Sequence, residues 1–144
     1  MIINFKKLND KAITPTYGTV FSAGADLYAC LDEDVTIPAG EAVIIKTGLA
    51  MEIPVGYGGF IYARSGLAAR QGLAPSNKVG VIDADYRGEI MVSLFNQSKK
   101  PATIHHGERI AQMVIAPFAA ASFNQVDELE ETCRGTGGFG STGK

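Results

Sequence analysis

Glycine and proline interrupt this chain at intervals of about ten residues, the spacing at which turns separate the short strands of an all-β domain. The interruptions read TPTYG, IPAG, IPVGYGG, LAPSN and HHG. An average α-helix needs about 11–12 residues free of such breakers, so the pieces between them suit strands. EAVIIKTGLAMEI is rich in β-branched residues, GGFIYARS alternates, and Glu89 to Phe95 is a half-buried run with polar residues at both ends. Only SGLAARQG, from Ser65 to Gly72, admits a turn or two of helix. The expected fold is all-β, a jelly-roll-like distorted barrel of short strands with one short helix.

A chain of 144 residues suits one domain with a real core. With 46% hydrophobic and 19% charged residues the composition is globular, and no apolar run approaches the roughly 20 residues of a membrane span. MIINFKKLND carries neither a secretory nor an Arg-rich targeting pattern. Cys30 and Cys133 stand in no metal-binding or redox spacing, as expected of two thiols in a reducing cytoplasm. A net charge of -2 lacks the basic footprint of a nucleic-acid binder. Any polyanion bound here must be small and locally gripped.

Composition shifts once, near Phe123, which divides a body over 1–123 from an appendage over 124–144. The appendage holds the acidic residues Asp127, Glu128, Glu130 and Glu131 and closes on RGTGGFGSTGK. Glycine-rich termini are ordinarily frayed. Fraying does not explain Phe139 among the glycines or Arg134 beside so many carboxylates.

Three internal stretches hold candidate chemistry. In ARSGLAAR, a strand running through Arg64, Ser65 and Gly66 into a helical turn gathers a guanidinium, a hydroxyl and free N–H groups, a phosphate-binding construction. The same residues also suit an ordinary strand end with Ser65 as helix cap. In NKVGVIDADYRGE, the apolar GVI ends at Asp83, which either caps a turn or serves as a base, and Asp85 with DYRG favours a β-hairpin. GERIAQMVI reads first as a core strand carrying Gln112, and His105 and His106 precede it as surface loop residues rather than zinc ligands.

Taken together and in order, SAGADLYA from Ser22, RSGLA from Arg64, GVIDADYRGE from Gly80, GERIAQMVI from Gly107 and RGTGGFGSTG from Arg134 resemble the trimeric deoxyuridine triphosphatase family. The third and fifth stretches are the most specific. Ala63 departs from the proline that the family often places before Arg-Ser-Gly, which bears on the rigidity of the strand end but not on its ligand atoms.

The resemblance implies hydrolysis of dUTP to dUMP and pyrophosphate, keeping uracil out of DNA and supplying the thymidylate precursor. Asp83 would be the general base for a water attacking the α-phosphorus. Arg64, Ser65, Gly66 and Gln112 would grip the phosphates. Magnesium would be held by the triphosphate and waters, with Asp26 as an outer-sphere partner or a structural anchor. Asn77 and the backbone along Gly80, Val81, Ile82 and Asp83, with that of Met91, would read the uracil edge, and Tyr86 would pack under the sugar and exclude a 2′-hydroxyl. The tail would be a lid, with Phe139 on the base, Gly140 permitting close approach, and Arg134, Ser141 and Thr142 at the γ-phosphate. The family also implies a cytoplasmic homotrimer with sites between subunits, and no nucleic-acid or membrane partner.

Two rivals stay open on sequence. A deaminase of the same fold acting on dCTP shares the Arg-Ser signal, and a silent nucleotide-binding or signalling trimer would keep the fold without the reaction.

Overall fold

The computed structural model describes residues 1–141. Along the chain run β1 (Asn4–Lys7), β2 (Thr16–Tyr17), β3 (Ala25–Tyr28), β4 (Val35–Ile37), β5 (Ala42–Lys46), β6 (Leu49–Glu52), β7 (Tyr57–Tyr62), α1 (Ser65–Gln71), β8 (Leu73–Pro75), β9 (Gly80–Ile82), β10 (Met91–Asn96), β11 (Ala102–Ile104) and β12 (Arg109–Pro117). The jelly-roll-like all-β class expected from the glycine and proline spacing holds, and so does the single short helix. Ladder bonding groups the strands as β2-β3-β12-β7-β9, β5-β10-β8, β1-β6 and β11-β4.

One apolar cluster joins these sheets, with Leu27, Ile37, Ile45, Leu49, Leu73, Ile90, Leu94, Ile104 and Ile110 wholly buried. Burying such side chains contributes roughly 1.5–3 kcal/mol each. Two polar side chains share this interior, and both are bonded. Asn96 Nδ2 donates to the carbonyls of Ile37 at 2.9 Å and Lys100 at 2.8 Å, and Thr47 Oγ1 donates to that of Ile90 at 2.6 Å. Cys30 is buried and unpaired, Cys133 exposed and unpaired. Burial pushes the Cys30 thiol above its ordinary range, and the Glu89 carboxylate adds to the effect.

Two local expectations change. The run from Glu41 to Ile53 is not one strand, because Gly48 adopts φ +69° and breaks it between β5 and β6. A Cβ at Gly48 would lie 2.8 Å from Ala12 Cβ and 2.9 Å from Cys30 Sγ, so the break is fixed by close packing. The hairpin expected around DYRG does not form. Strand β9 pairs with β7 while β10 pairs with β5 and β8, so residues 83 to 90 cross from one sheet to another. The chain after Gly88 is captured by the 47–49 turn, where Ile90 N donates to Leu49 O at 2.8 Å.

Candidate functional site

Strand register assembles the first cluster. Gln112 on β12 stands opposite Asp26 on β3 and opposite Tyr62 on β7, and residues directly opposite in a ladder share a face. A β-bulge between Arg109 and Ala111 lets Ile110 and Ala111 both turn into the core. It also leaves Arg109 and Gln112 lining the same open cleft of about 660 Å³, together with Gly24, Asp26, Tyr62 and Arg64.

Asp26 organises this cleft. Arg64 Nε donates to Asp26 Oδ1 at 2.7 Å and Arg109 Nη1 to Oδ2 at 3.2 Å, with the Asp26 side chain only 13% exposed. Arg64 Nη1 also reaches the Arg109 carbonyl at 3.3 Å. Gln112 Nε2 donates to Ala63 O at 2.9 Å, which ties the end of β7 to β12 where the usual proline is missing. Gly24 gives this amide its room, since a Cβ there would lie 2.5 Å from Gln112 Oε1 and push the side chain aside.

Ser65 opens α1 and is not its cap. Arg64 takes the N-cap position in extended conformation with no side-chain cap bond, since a guanidinium has no acceptor to offer the helix N–H groups, and it donates instead to Asp26. The helix ends at Gly72 in the left-handed region, its N–H bonded to Ala68 O. Gly66 faces the Arg70 guanidinium, which a Cβ would meet at 3.0 Å.

A second cluster forms at the sheet edge. Strand β9 is the outermost strand of its sheet, with Gly80 opposite Ile61 and Ile82 opposite Gly59. A Cβ on Gly80 would meet Ile61 Cβ at 3.2 Å and the Asn77 amide nitrogen at 3.4 Å, so Asn77 folds back on this strand. Val81 is 59% exposed, and Asp83 just beyond it is exposed as well. Tyr86, 41% exposed, donates its hydroxyl to Glu89 O at 3.1 Å. Met91 begins β10, opposite Lys46.

Within one chain the two clusters stand apart. None of Asn77, Gly80, Val81, Asp83, Tyr86 or Met91 lines the Arg64 cleft. Asp83 follows Ile82, which pairs with Gly59, whereas Arg64 lies past the opposite end of β7. At about 3.3 Å per residue, that separation along the strand is roughly 17 Å.

The described part of the tail makes only local turns. Arg134 Nε donates to Gly137 O at 2.8 Å, Gly135 N to Thr132 O at 3.0 Å and Ser141 N to Gly138 O at 3.1 Å. Phe139 is fully exposed at φ +49°, next to Gly140 at φ +94°. Thr142 lies outside the described residues.

Arg109 is a member of the cleft that sequence reasoning passed over, although it stands inside GERIAQMVI. No strand alternation puts residues three apart on one side, and only the bulge does so. Gly24 was likewise inside SAGADLYA without being singled out. Among the described residues there is no group of three or more His, Cys, Asp or Glu that could hold a metal ion, and no helix long and apolar enough to cross a membrane.

Comparison with known proteins gives one answer throughout. Residues 10–143 match the dUTPase family. A deoxyuridine 5'-triphosphate nucleotidohydrolase of Desulfitobacterium hafniense is 55% identical over 130 residues, covering 90% of this chain and 86% of that protein. A solved variant of the Staphylococcus bacteriophage 80alpha dUTPase with dUpNHpp superposes with a TM-score of 0.87 at 30% identity over 99% of both chains. A variant of the dUTPase from phage phi11 of S. aureus, described with a structural Mg(II) ion, gives a TM-score of 0.82 at 26% identity over 91% of this chain and all of that one.

Proposed function

The chain belongs to the dUTPase family and hydrolyses dUTP, and we propose that it does so by attack of water on the α-phosphorus, releasing dUMP and pyrophosphate, with the roles divided between the two clusters. The observation that carries this reading is the Asp26 carboxylate holding Arg64 and Arg109 beside Gln112 in one cleft. A guanidinium has five N–H donors in a planar fork. The bonds to Asp26 fix the forks and leave other donors for phosphate oxygens. Ser65 and Gly66 contribute N–H groups of the first helical turn, which have no partner within the helix, and Gln112 Nε2, with one N–H on Ala63 O, keeps its second for a phosphate oxygen.

Asp83 is the general base in this reading. A base must lie within about 2.6–3.2 Å of the proton it takes, or one water away. A span of roughly 17 Å along β7 is far too long for Asp83 to serve the phosphates gripped by its own chain. The division favours a homotrimer in which the Arg64 cleft of one subunit meets the Asp83 edge of another. Asn77 and the backbone of Gly80, Val81, Ile82 and Met91 then read the uracil edge, and Tyr86 packs against the sugar. Residues 124–144 close the site as a lid over the 1–123 body, placing Phe139 on the base with Gly140 beside it and Arg134, Ser141 and Thr142 at the terminal phosphate.

Magnesium fits this donor set as an ion carried by the triphosphate. The one carboxylate in the cleft has both oxygens engaged by arginines, so Asp26 anchors the guanidiniums and meets the ion only through water. When bound, the ion would neutralise charge on the phosphate oxygens. We place the enzyme in the cytoplasm, where unpaired Cys30 and Cys133 stay reduced.

The test measures pyrophosphate and ammonia release from dUTP and dCTP. Pyrophosphate from dUTP without ammonia supports the reading. Ammonia from dCTP would return the deaminase, and no product from either nucleotide would return the silent trimer.

A further inference from the structure

The Tyr86 loop is tied to the buried body chiefly through Glu89. Its other bonds are local: Tyr86 N donates to Asp83 O at 3.2 Å, and Arg87 Nη1 donates to Ala84 O at 2.7 Å and Tyr86 O at 3.0 Å. Arg87 also forms an exposed 3.8 Å pair with Glu52. Against this, the Tyr86 hydroxyl donates to the Glu89 carbonyl at 3.1 Å, and its ring lies so close over Gly88 that any Cβ there would collide with it.

Glu89 is itself pinned to the core. Its Oε1 accepts the Gly48 N–H at 2.8 Å, a charge-assisted bond of the stronger kind. Gly48 cannot yield, since it is wedged between Ala12 and Cys30 at φ +69° and its carbonyl accepts Leu8 N at 2.8 Å. On either side of it, Thr47 Oγ1 donates to Ile90 O at 2.6 Å and Leu49 O accepts Ile90 N at 2.8 Å. Rigidity therefore reaches the Glu89 carbonyl and the Tyr86 ring from one buried turn by two routes, the Ile90 N–H of the same planar peptide unit and the Glu89 side chain, which fixes the residue on the other side of that carbonyl.

We propose that Glu89 is a positioning residue that holds Tyr86 at its working depth and thereby sets the selection of deoxyribose over ribose. The inference rests on the dUTPase reading and on the sugar-packing role given to Tyr86. A ring that drifts outward by a fraction of an ångström opens the space a 2′-hydroxyl needs, whereas a residue serving only stability would lower turnover of both nucleotides alike.

The experiment compares kcat/KM for UTP and dUTP in the full chain and four variants. Tyr86→Ala is the reference and raises the UTP/dUTP ratio. Glu89→Ala raises it roughly threefold to tenfold, the equilibrium change that losing one hydrogen bond corresponds to. Glu89→Gln keeps an oxygen that accepts the Gly48 N–H and leaves the ratio at its starting value. Tyr86→Phe removes only the hydroxyl that reaches the Glu89 carbonyl and raises the ratio in the same direction, and it keeps the proposal refutable should Glu89→Ala not fold. An unchanged ratio in Glu89→Ala or Tyr86→Phe, alongside a raised one in Tyr86→Ala, overturns the proposal and spares the sugar-packing role. An unchanged ratio in Tyr86→Ala overturns both, and a parent chain inert toward dUTP overturns the dUTPase reading with them.

Discussion

Arg64 Nε lies 2.7 Å from Asp26 Oδ1, and both side chains are largely withdrawn from solvent. Asp26 was open between two roles on sequence, and this contact favours the anchor. Asp26→Asn keeps the shape but offers one carbonyl oxygen to two guanidiniums. Losing a hydrogen bond to a charged group costs about 1.5–3 kcal/mol, and urea denaturation should register a loss of that order. Affinity for inorganic pyrophosphate, measured by calorimetry, should fall with it. An Asn variant as stable as the parent, with undiminished pyrophosphate binding, would show that the arginines hold their places unaided.

Asp83→Asn should fold normally and bind nucleotide, because the Asp83 side chain is exposed and takes part in no ion pair or hydrogen bond among the described residues. Turnover should drop at least ~10²-fold, the low end for removing a general base. The check is steady-state pyrophosphate release alongside binding of a non-hydrolysable dUTP analogue. Near-normal turnover in a folded variant removes Asp83 from the role.

Truncation after Cys133 should separate stability from activity. The tail residues from Arg134 to Ser141 bond only to one another and to Thr132, so the melting temperature should barely move while activity falls to a small residue. Phe139→Trp places an indole in a chain that has no tryptophan. Its fluorescence should change more with a non-hydrolysable dUTP analogue than with dUMP, which lacks the phosphates proposed for Arg134 and Ser141. Equal responses, or full activity after truncation, make the tail a plain linker.

His105 Nδ1 lies 2.8 Å from Asp34 Oδ2. The hydrogen bond to Asp34, then its charge, raise the His105 pKa above its ordinary value, opposed by slight desolvation and aided by Glu108. A group whose pKa is raised on folding stabilises the fold in full below the unfolded value, about 6.5, and loses that contribution as pH rises through the folded value. Both side chains are more than half exposed, so the effect is small. Asp34→Asn should lower the melting temperature slightly at pH 5.5 and leave it unchanged at pH 9, and NMR titration of the ring protons should give a lower His105 pKa in the variant.

Much of this was legible in the chain because it is local. Turn residues announce where strands stop, β-branched runs announce strands, and SGLAARQG supplies a helix that Gly72 ends. Arg64, Gln112 and Asp26 could be singled out by type and by resemblance; register then sets Gln112 opposite Asp26, and the ion pair with Asp26 brings in Arg64. What was not legible depends on partners far away in sequence. Glu89 bonds Gly48 across 41 positions, and that capture turns an expected hairpin into a crossing between sheets. The break at Gly48 depends on Ala12 and Cys30 filling the space where its Cβ would go. The bulge at Ile110 depends on how β12 meets β3, so the place of Arg109 in the cleft had no signature of its own.

The two clusters at opposite ends of β7 also have a meaning for heredity. On the proposed assembly a site is a joint product of different copies, so a lesion is not confined to the chain that carries it. A subunit spoiled at Asp83 still lends its Arg64 cleft to a neighbour, and one spoiled at Arg64 still lends its Asp83 edge. Two alleles that are each inert can then restore one another when expressed together, whereas two lesions in the same cluster cannot. On that assembly the geometry of a single sheet would sort mutations into complementation groups within one gene.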